Sequence, residues 1–196
     1  MGTQLVLAAV TAVLMRSLES GLAERSVAAA LGRDVVVSAL PPDRVPMGPS
    51  ELPQLNLLFY QAMPNPTLRN LEEVSTSRFP FDLLYLLTAY GGLEFDAEIL
   101  LGAALEIFYA APILGRETIR ASLAAPHTAE GETALPVQSA LASPDVAQQI
   151  EQIGVSIEPF STEELATLWG VFQTRYRPSL ALRVSVTLVQ PSLDPE

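Results

Sequence analysis

The clearest pattern in the chain is a run whose apolar side chains point both ways. Phe81, Leu83, Tyr85, Leu87 and Ala89 fall on one side of a strand, and Leu84, Leu86 and Tyr90 on the other, because successive side chains alternate across an extended backbone. A strand apolar on both faces belongs in the middle of a sheet. Periodicity alone also allows a buried helix here, but Pro80 before the run and Gly91-Gly92 after it bound it as a strand. A second strand is predicted over 179–188, where Leu180, Leu182, Val184, Val186 and Leu188 alternate with Ser179, Ala181, Arg183, Ser185 and Thr187. One of its faces is packed and the other is wet or at an interface, with Arg183 pointing outward.

Helical spacing takes over elsewhere. From Gln4 to about Ala23, Leu5, Ala9, Ala12, Val13, Leu18 and Leu22 share a side, with Thr3 placed to cap the helix. A helix over about 97–111, started by Asp96, groups Leu101, Leu105 and Phe108 opposite Glu98, Gly102 and Glu106. Arg116 to Leu123 adds a short helical turn, and Asp145 to Ile153 a short helix. Ser161-Thr162-Glu163-Glu164 is a capping box in which serine and glutamate serve each other's backbone N–H groups. Leu165, Leu168, Trp169 and Phe172 follow, so the single tryptophan lies on the buried side. Short strands are predicted at 35–40, 55–60 and 155–157. The proline-dense loop 41–53 and the polar loop 67–78 separate strands without a helix between them, which favours antiparallel pairing. Residues 124–145 show no sustained period and read as a flexible surface excursion. The sum is one domain over residues 1–196. Its fold class is α+β (mixed α/β), a mostly antiparallel sheet of about five strands packed with three to four helices.

Composition narrows the function classes. Of the 196 residues 49% are hydrophobic and 17% charged, with a mean hydropathy of +0.30. Two readings fit that excess: surface given to a partner subunit, or an Ala- and Leu-rich core in a monomer. The net charge of −11 argues against binding nucleic acid through a basic surface. Every cation is an arginine, so a Walker lysine or a Schiff-base lysine is excluded, and no cysteine is present to serve as nucleophile or zinc ligand. The run Leu5 to Met15 lacks a basic leader and, with about 11 apolar residues, falls short of the roughly 20 that a membrane span needs. It is read as a packed helix, with no membrane insertion.

Candidate chemistry is sparse. His127, the one histidine, sits in the least patterned stretch and reads as a solvated loop residue rather than a base. Glu94, Asp96 and Glu98 could hold a hard cation but miss the spacing of a calcium loop, and acids at a helix start are favoured by the helix dipole anyway. Arg175, Tyr176 and Arg177 form either an anion- or partner-binding corner or, the favoured reading, a turn whose guanidinium groups pair with this acidic chain. Trp169 fits the core better than an interface hot spot. No catalytic, cofactor or metal residue is assigned. Arg175, Tyr176, Arg177 and Arg183 are the interface candidates.

The order of these features resembles a known family. Pro41-Pro42-Asp43 after a valine strand, Leu55-Asn56-Leu57-Leu58-Phe59-Tyr60, Asn70, the block Leu83 to Tyr90, Leu100-Leu101-Gly102, Ser161 to Trp169 and Tyr176 to Ser185 are similar to the cap, or tail-terminator, proteins of extracellular contractile injection systems, of the antifeeding-prophage and virulence-cassette type. The resemblance implies a structural protein made in the cytoplasm and built into the particle. It implies a homohexameric ring on the tube and sheath end distal to the baseplate, with inner tube protein and sheath protein as partners, no cofactor and no enzyme activity. A generic adaptor, or a hydrolase working through carboxylates, is the alternative.

Overall fold

A computed structural model describes residues 3–48, 51–65, 78–125 and 136–189. Six strands form one sheet in the order β1-β2-β3-β6-β5-β4, where β1 is Val36–Ser38, β2 Gln54–Pro64, β3 Arg78–Tyr90, β4 Ile113–Gly115, β5 Ile150–Glu158 and β6 Ser179–Val189. Seven α-helices accompany it: α1 Val6–Glu24, α2 Val27–Leu31, α3 Asp96–Ala110, α4 Arg116–Ala124, α5 Pro136–Leu141, α6 Pro144–Gln149 and α7 Thr162–Phe172. Both apolar faces of β3 are buried, and it lies between β2 and β6 as its pattern requires.

One face of the sheet carries the core. Leu55 and Leu57 of β2, Leu83, Tyr85 and Leu87 of β3, and Leu182, Val184 and Val186 of β6 are fully buried there, against Val10, Leu14 and Leu18 of α1, Leu100 and Ala104 of α3 and Ile119 of α4. Each such leucine contributes about 1.5–3 kcal/mol relative to exposure. Tyr85 keeps its polar end satisfied: its hydroxyl lies 2.9 Å from Thr11 Oγ1. Helix α1 is long and apolar enough to cross a membrane by length and composition, which corrects the shorter apolar run read from sequence. Its apolar side is nonetheless used in the core, where Val6, Ala9, Val10, Val13, Leu14, Leu18 and Leu22 are buried.

Several boundaries differ from the sequence reading. Strands β1 and β2 are parallel, not antiparallel; the connection between them is long enough to cross over, and its described residues carry a 3₁₀ turn, Pro42–Arg44, and no α-helix. The buried Asn56 fixes that pairing, accepting from Leu40 N–H at 2.8 Å and donating to Leu40 O at 2.9 Å. Strand β5 begins at Ile150, so the helix expected to reach Ile153 stops at Gln149. Residues 136–145, read as part of a flexible excursion, are largely helical; residues 126–135, with His127, lie outside the described residues, as do 66–77, with Asn70. On α3 the buried side is Leu100, Ala103, Ala104, Ile107 and Phe108. The expected face is therefore turned by about one residue, leaving Leu101 and Leu105 half-buried. Helix α1 opens from a 3₁₀ turn, Thr3–Leu5, with no side-chain cap at Leu5.

Candidate functional site

The second face of the sheet is built differently. Asp82, Leu84, Leu86, Thr88 and Tyr90 of β3 stand there beside Ser179, Ala181, Arg183 and Ser185 of β6. Asp82 is buried, and its carboxylate accepts from Ser185 Oγ at 2.7 Å, Asn65 Nδ2 at 2.8 Å and Arg183 Nη1 at 3.1 Å. Arg183 also forks onto Glu158, from Nε at 2.8 Å and Nη2 at 3.2 Å. Its hydrogen bonds to Glu158 first, and to Asp82 second, hold it in the charged form with its pKa raised. Arg183, expected to point outward, has a part-exposed side chain that bridges two carboxylates, because the alternation of β6 puts it on the same face as Asp82.

Helix α7 lies on this side of the sheet. Burial raises the pKa of the Tyr60 phenol, Glu158 adds to the rise, Arg183 opposes it, and Glu164 in the first turn of α7 adds again. The capping box is formed as predicted, with Ser161 Oγ accepting from Glu164 N–H at 3.2 Å and Glu164 accepting from Ser161 N–H at 2.8 Å. The Ser161 N–H bond, and a second donated by the Ser161 hydroxyl at 2.8 Å, hold the Glu164 carboxyl below its ordinary value. Of the eleven residues of α7 only Trp169 is buried. Its ring meets Phe172 edge-on at 5.8 Å and Tyr176 at 5.9 Å.

Three loops meet at the end of β3. Glu51 accepts from Gly91 N–H at 2.9 Å and from Arg177 Nη2 at 2.9 Å. Arg177 lies over the Tyr90 ring, 5.5 Å from its centre, a cation–π contact. Burial pushes the Tyr90 phenol up to about 12, with Arg177 opposing and Glu51 adding. The Arg175-Tyr176-Arg177 corner is thus split: Arg177 is paired, Arg175 is exposed, and Tyr176 backs onto Trp169 while staying 59% exposed. Arg183 is not brought to the corner. It sits mid-sheet opposite Leu84 and Ser156.

Beside this corner the turn from β3 to α3 is held tightly. Asp96, fully inside, takes both its oxygens to Arg33 Nη2, at 2.6 and 2.7 Å, and accepts from Leu93 N–H at 2.9 Å. Burial alone would raise its pKa, but the Arg33 bond, the Leu93 N–H and the Arg33 charge together hold it low. Asp96 therefore serves the turn before the helix and is not the helix N-cap, which is Phe95. A Cβ at Gly91 would collide with the Asp96 side chain, so a glycine is required there. The turn presents Leu93 and Phe95, 64% and 65% exposed. Sequence reasoning passed over both, although two large apolar residues directly after a glycine pair in a polar loop were a usable signal.

Among the described residues no group of three or more His, Asp or Glu side chains is arranged to hold a metal, and the Glu94–Asp96–Glu98 run is split by the commitment of Asp96 to Arg33. Asp82, Glu158, Glu51 and Asp96 all face arginines. What this surface offers is apolar and aromatic contact area on a fixed frame.

Residues 9–196 match the family model described as the Pvc16 N-terminal domain. None of the curated proteins compared with the chain matches it in sequence. Two solved structures are similar. One is the sheath/tube terminator, in its extended state, of the extracellular contractile injection system PVC. It is 14% identical with a TM-score of 0.50, over 88% of this chain and 57% of that one. The other is the tube-terminating cap of the anti-feeding prophage, 13% identical with a TM-score of 0.47, over 76% of this chain and 46% of that one. The chain thus spans little more than half the length of the PVC terminator, with which it shares its fold.

Proposed function

The chain belongs to the Pvc16 N-terminal domain family, and from that membership we propose that it is a structural cap of a phage-tail-like contractile injection system. It forms a six-membered ring on the end of the tube and sheath distal to the baseplate, stops polymerisation and anchors the last sheath layer. The observation that carries this reading is the family match running through residues 9–196, which takes in every strand of the sheet. The mixed sheet shared with the PVC terminator supports it. So does the surface: exposed Leu93, Phe95, Tyr109, Ile113, Val171 and Tyr176 leave more apolar area in water than an isolated monomer needs. The inner tube protein and the sheath protein are its partners, and its work is contact, with no reaction to perform.

The test is to add the purified protein to polymerising tube and sheath subunits from the same source and measure particle lengths by electron microscopy. Shorter, narrowly distributed particles with a ring on one end are expected. Unchanged lengths with bare ends would overturn the cap reading.

A further inference from the structure

Two exposed apolar patches lie at opposite ends of α3, and they differ. At its start the β3–α3 turn carries Leu93 and Phe95, with Ile99 one turn into the helix, 38% exposed. Phe95 has φ of +68°, a left-handed conformation that costs a bulky residue free energy. It is kept there by the Arg33–Asp96 pair, by the Leu93 N–H bond to Asp96 and by Ile99 N–H to Phe95 O at 2.9 Å. A strained aromatic, rigidly held and facing water, returns nothing inside its own chain. At the far end of the helix stand Tyr109, 76% exposed, and Ile113 on the free edge strand β4, 61% exposed. Fifteen residues of helix put the two patches about 20 Å apart.

Their charges are opposite in sign. Glu94 and Glu98 flank the first patch, and both are exposed. Arg116 and Arg120 flank the second; they are exposed, and their i,i+4 spacing sets them on one side of α4, where the exposed Glu117, three residues before Arg120, offsets one of the two positive charges and leaves the patch net positive. Among the described residues none of these four forms an ion pair within the chain.

We propose that the patches bind one another between copies of this chain: the Leu93–Phe95 turn with Glu94 and Glu98 of one copy seats against Tyr109 and Ile113 with Arg116 and Arg120 of the next. Two unlike patches make a head-to-tail contact, which runs on to a closed ring when the rotation per subunit allows. The closure into six rests on the cap reading; the pairing of the patches rests on their geometry and charge. Phe95 is the anchor and its strained backbone pre-organises it, so little freedom is lost on binding.

Charge reversal tests the pairing directly. Light scattering after size exclusion should show the wild-type chain associating as concentration rises. Glu94→Arg with Glu98→Arg should weaken association at least tenfold, and so should Arg116→Glu with Arg120→Glu, because each now opposes like charges. Mixed in equal amounts, the two variants should recover association in species that contain both, since every contact between unlike chains again joins opposite charges. An alternating ring of this kind closes for an even number such as six. Phe95→Gly separates strain from folding: it should keep or raise Tm, because glycine accepts the left-handed conformation, while weakening association at least tenfold. A wild-type chain monomeric at all concentrations, a variant that associates undiminished, or a mixture that stays monomeric overturns the proposal. Recovered association without any effect on particle length would instead sink the cap reading and leave the contact standing.

Discussion

One strand, β3, is buried on both sides by different means. Toward the helices it shows Phe81, Leu83, Tyr85, Leu87 and Ala89, and the layer of α1, α3 and α4 closes over them with apolar side chains, the buried Asp96 standing apart at the start of α3 with Arg33. Toward α7 it shows Asp82, Leu84, Leu86, Thr88 and Tyr90, in which polar groups are satisfied across strands: Asp82 by Arg183, Ser185 and Asn65, Thr88 by the Ser179 hydroxyl at 3.1 Å. The first arrangement is non-directional and sets how stable the sheet is. The second is directional. A slip of β6 against β3 by one residue would turn Arg183 away from Asp82 and leave a buried carboxylate alone, so this face sets register.

Neighbouring leucines on the two faces measure the first half of that contrast. Leu87 and Leu86 are both fully buried, on opposite sides of β3. The cost of a cavity depends on how far its walls can relax. Leu87 belongs to the core that the packed helices close, whereas Leu86 lies outside that core, on the face where α7 buries Trp169 fully and Leu165, Leu168 and Phe172 only in part. Leu87→Ala should therefore cost about 4 kcal/mol and Leu86→Ala about 2 kcal/mol in chemical denaturation. Equal losses would mean that α7 is as firmly seated as the helical layer.

The polar half is probed at Arg183. Arg183→Met strands Asp82 inside, and after allowance for the 38% exposure of the arginine side chain the loss should be about 2 kcal/mol. Adding Asp82→Asn, which removes the buried charge but keeps hydrogen-bonding capacity toward Ser185, should recover more than half of it. A double variant no better than the single one would show that Glu158, not Asp82, is the partner that matters.

What could be read from the sequence divides along the same line. Strands β3 and β6 and helices α1 and α7 repeat their signal over many residues, and the capping box is a local bond between residues three apart, so all were legible. Strand β4 has three residues and no period to read. The pairing of Arg183 with Asp82 joins residues 101 apart in the chain, and only the register of the sheet makes them neighbours. The predicted corner of Arg175, Tyr176 and Arg177 was legible as a corner, but the fate of Arg177 depended on Glu51, which lies 126 residues away. The Leu93–Phe95 turn was missed for a third reason. Its rigidity comes from Arg33 and from a left-handed φ, neither of which follows from the types of residue in the turn itself.

Trp169 gives the smallest effect and the finest test of how the second face is covered. It is the only buried residue of α7, yet its indole Nε1 has no hydrogen-bond partner among the described residues. Replacing it by phenylalanine gives up no internal hydrogen bond, keeps the aromatic edge contacts with Phe172 and Tyr176, and should cost less than about 1 kcal/mol. The loss should be local: amide exchange in 162–172 should accelerate several-fold while β3 and β6 stay protected, because α7 opens without unfolding the sheet. Uniform acceleration through β3 would show that α7 and the sheet unfold as one unit, and the contrast between a rigid face and a lightly covered one would fall.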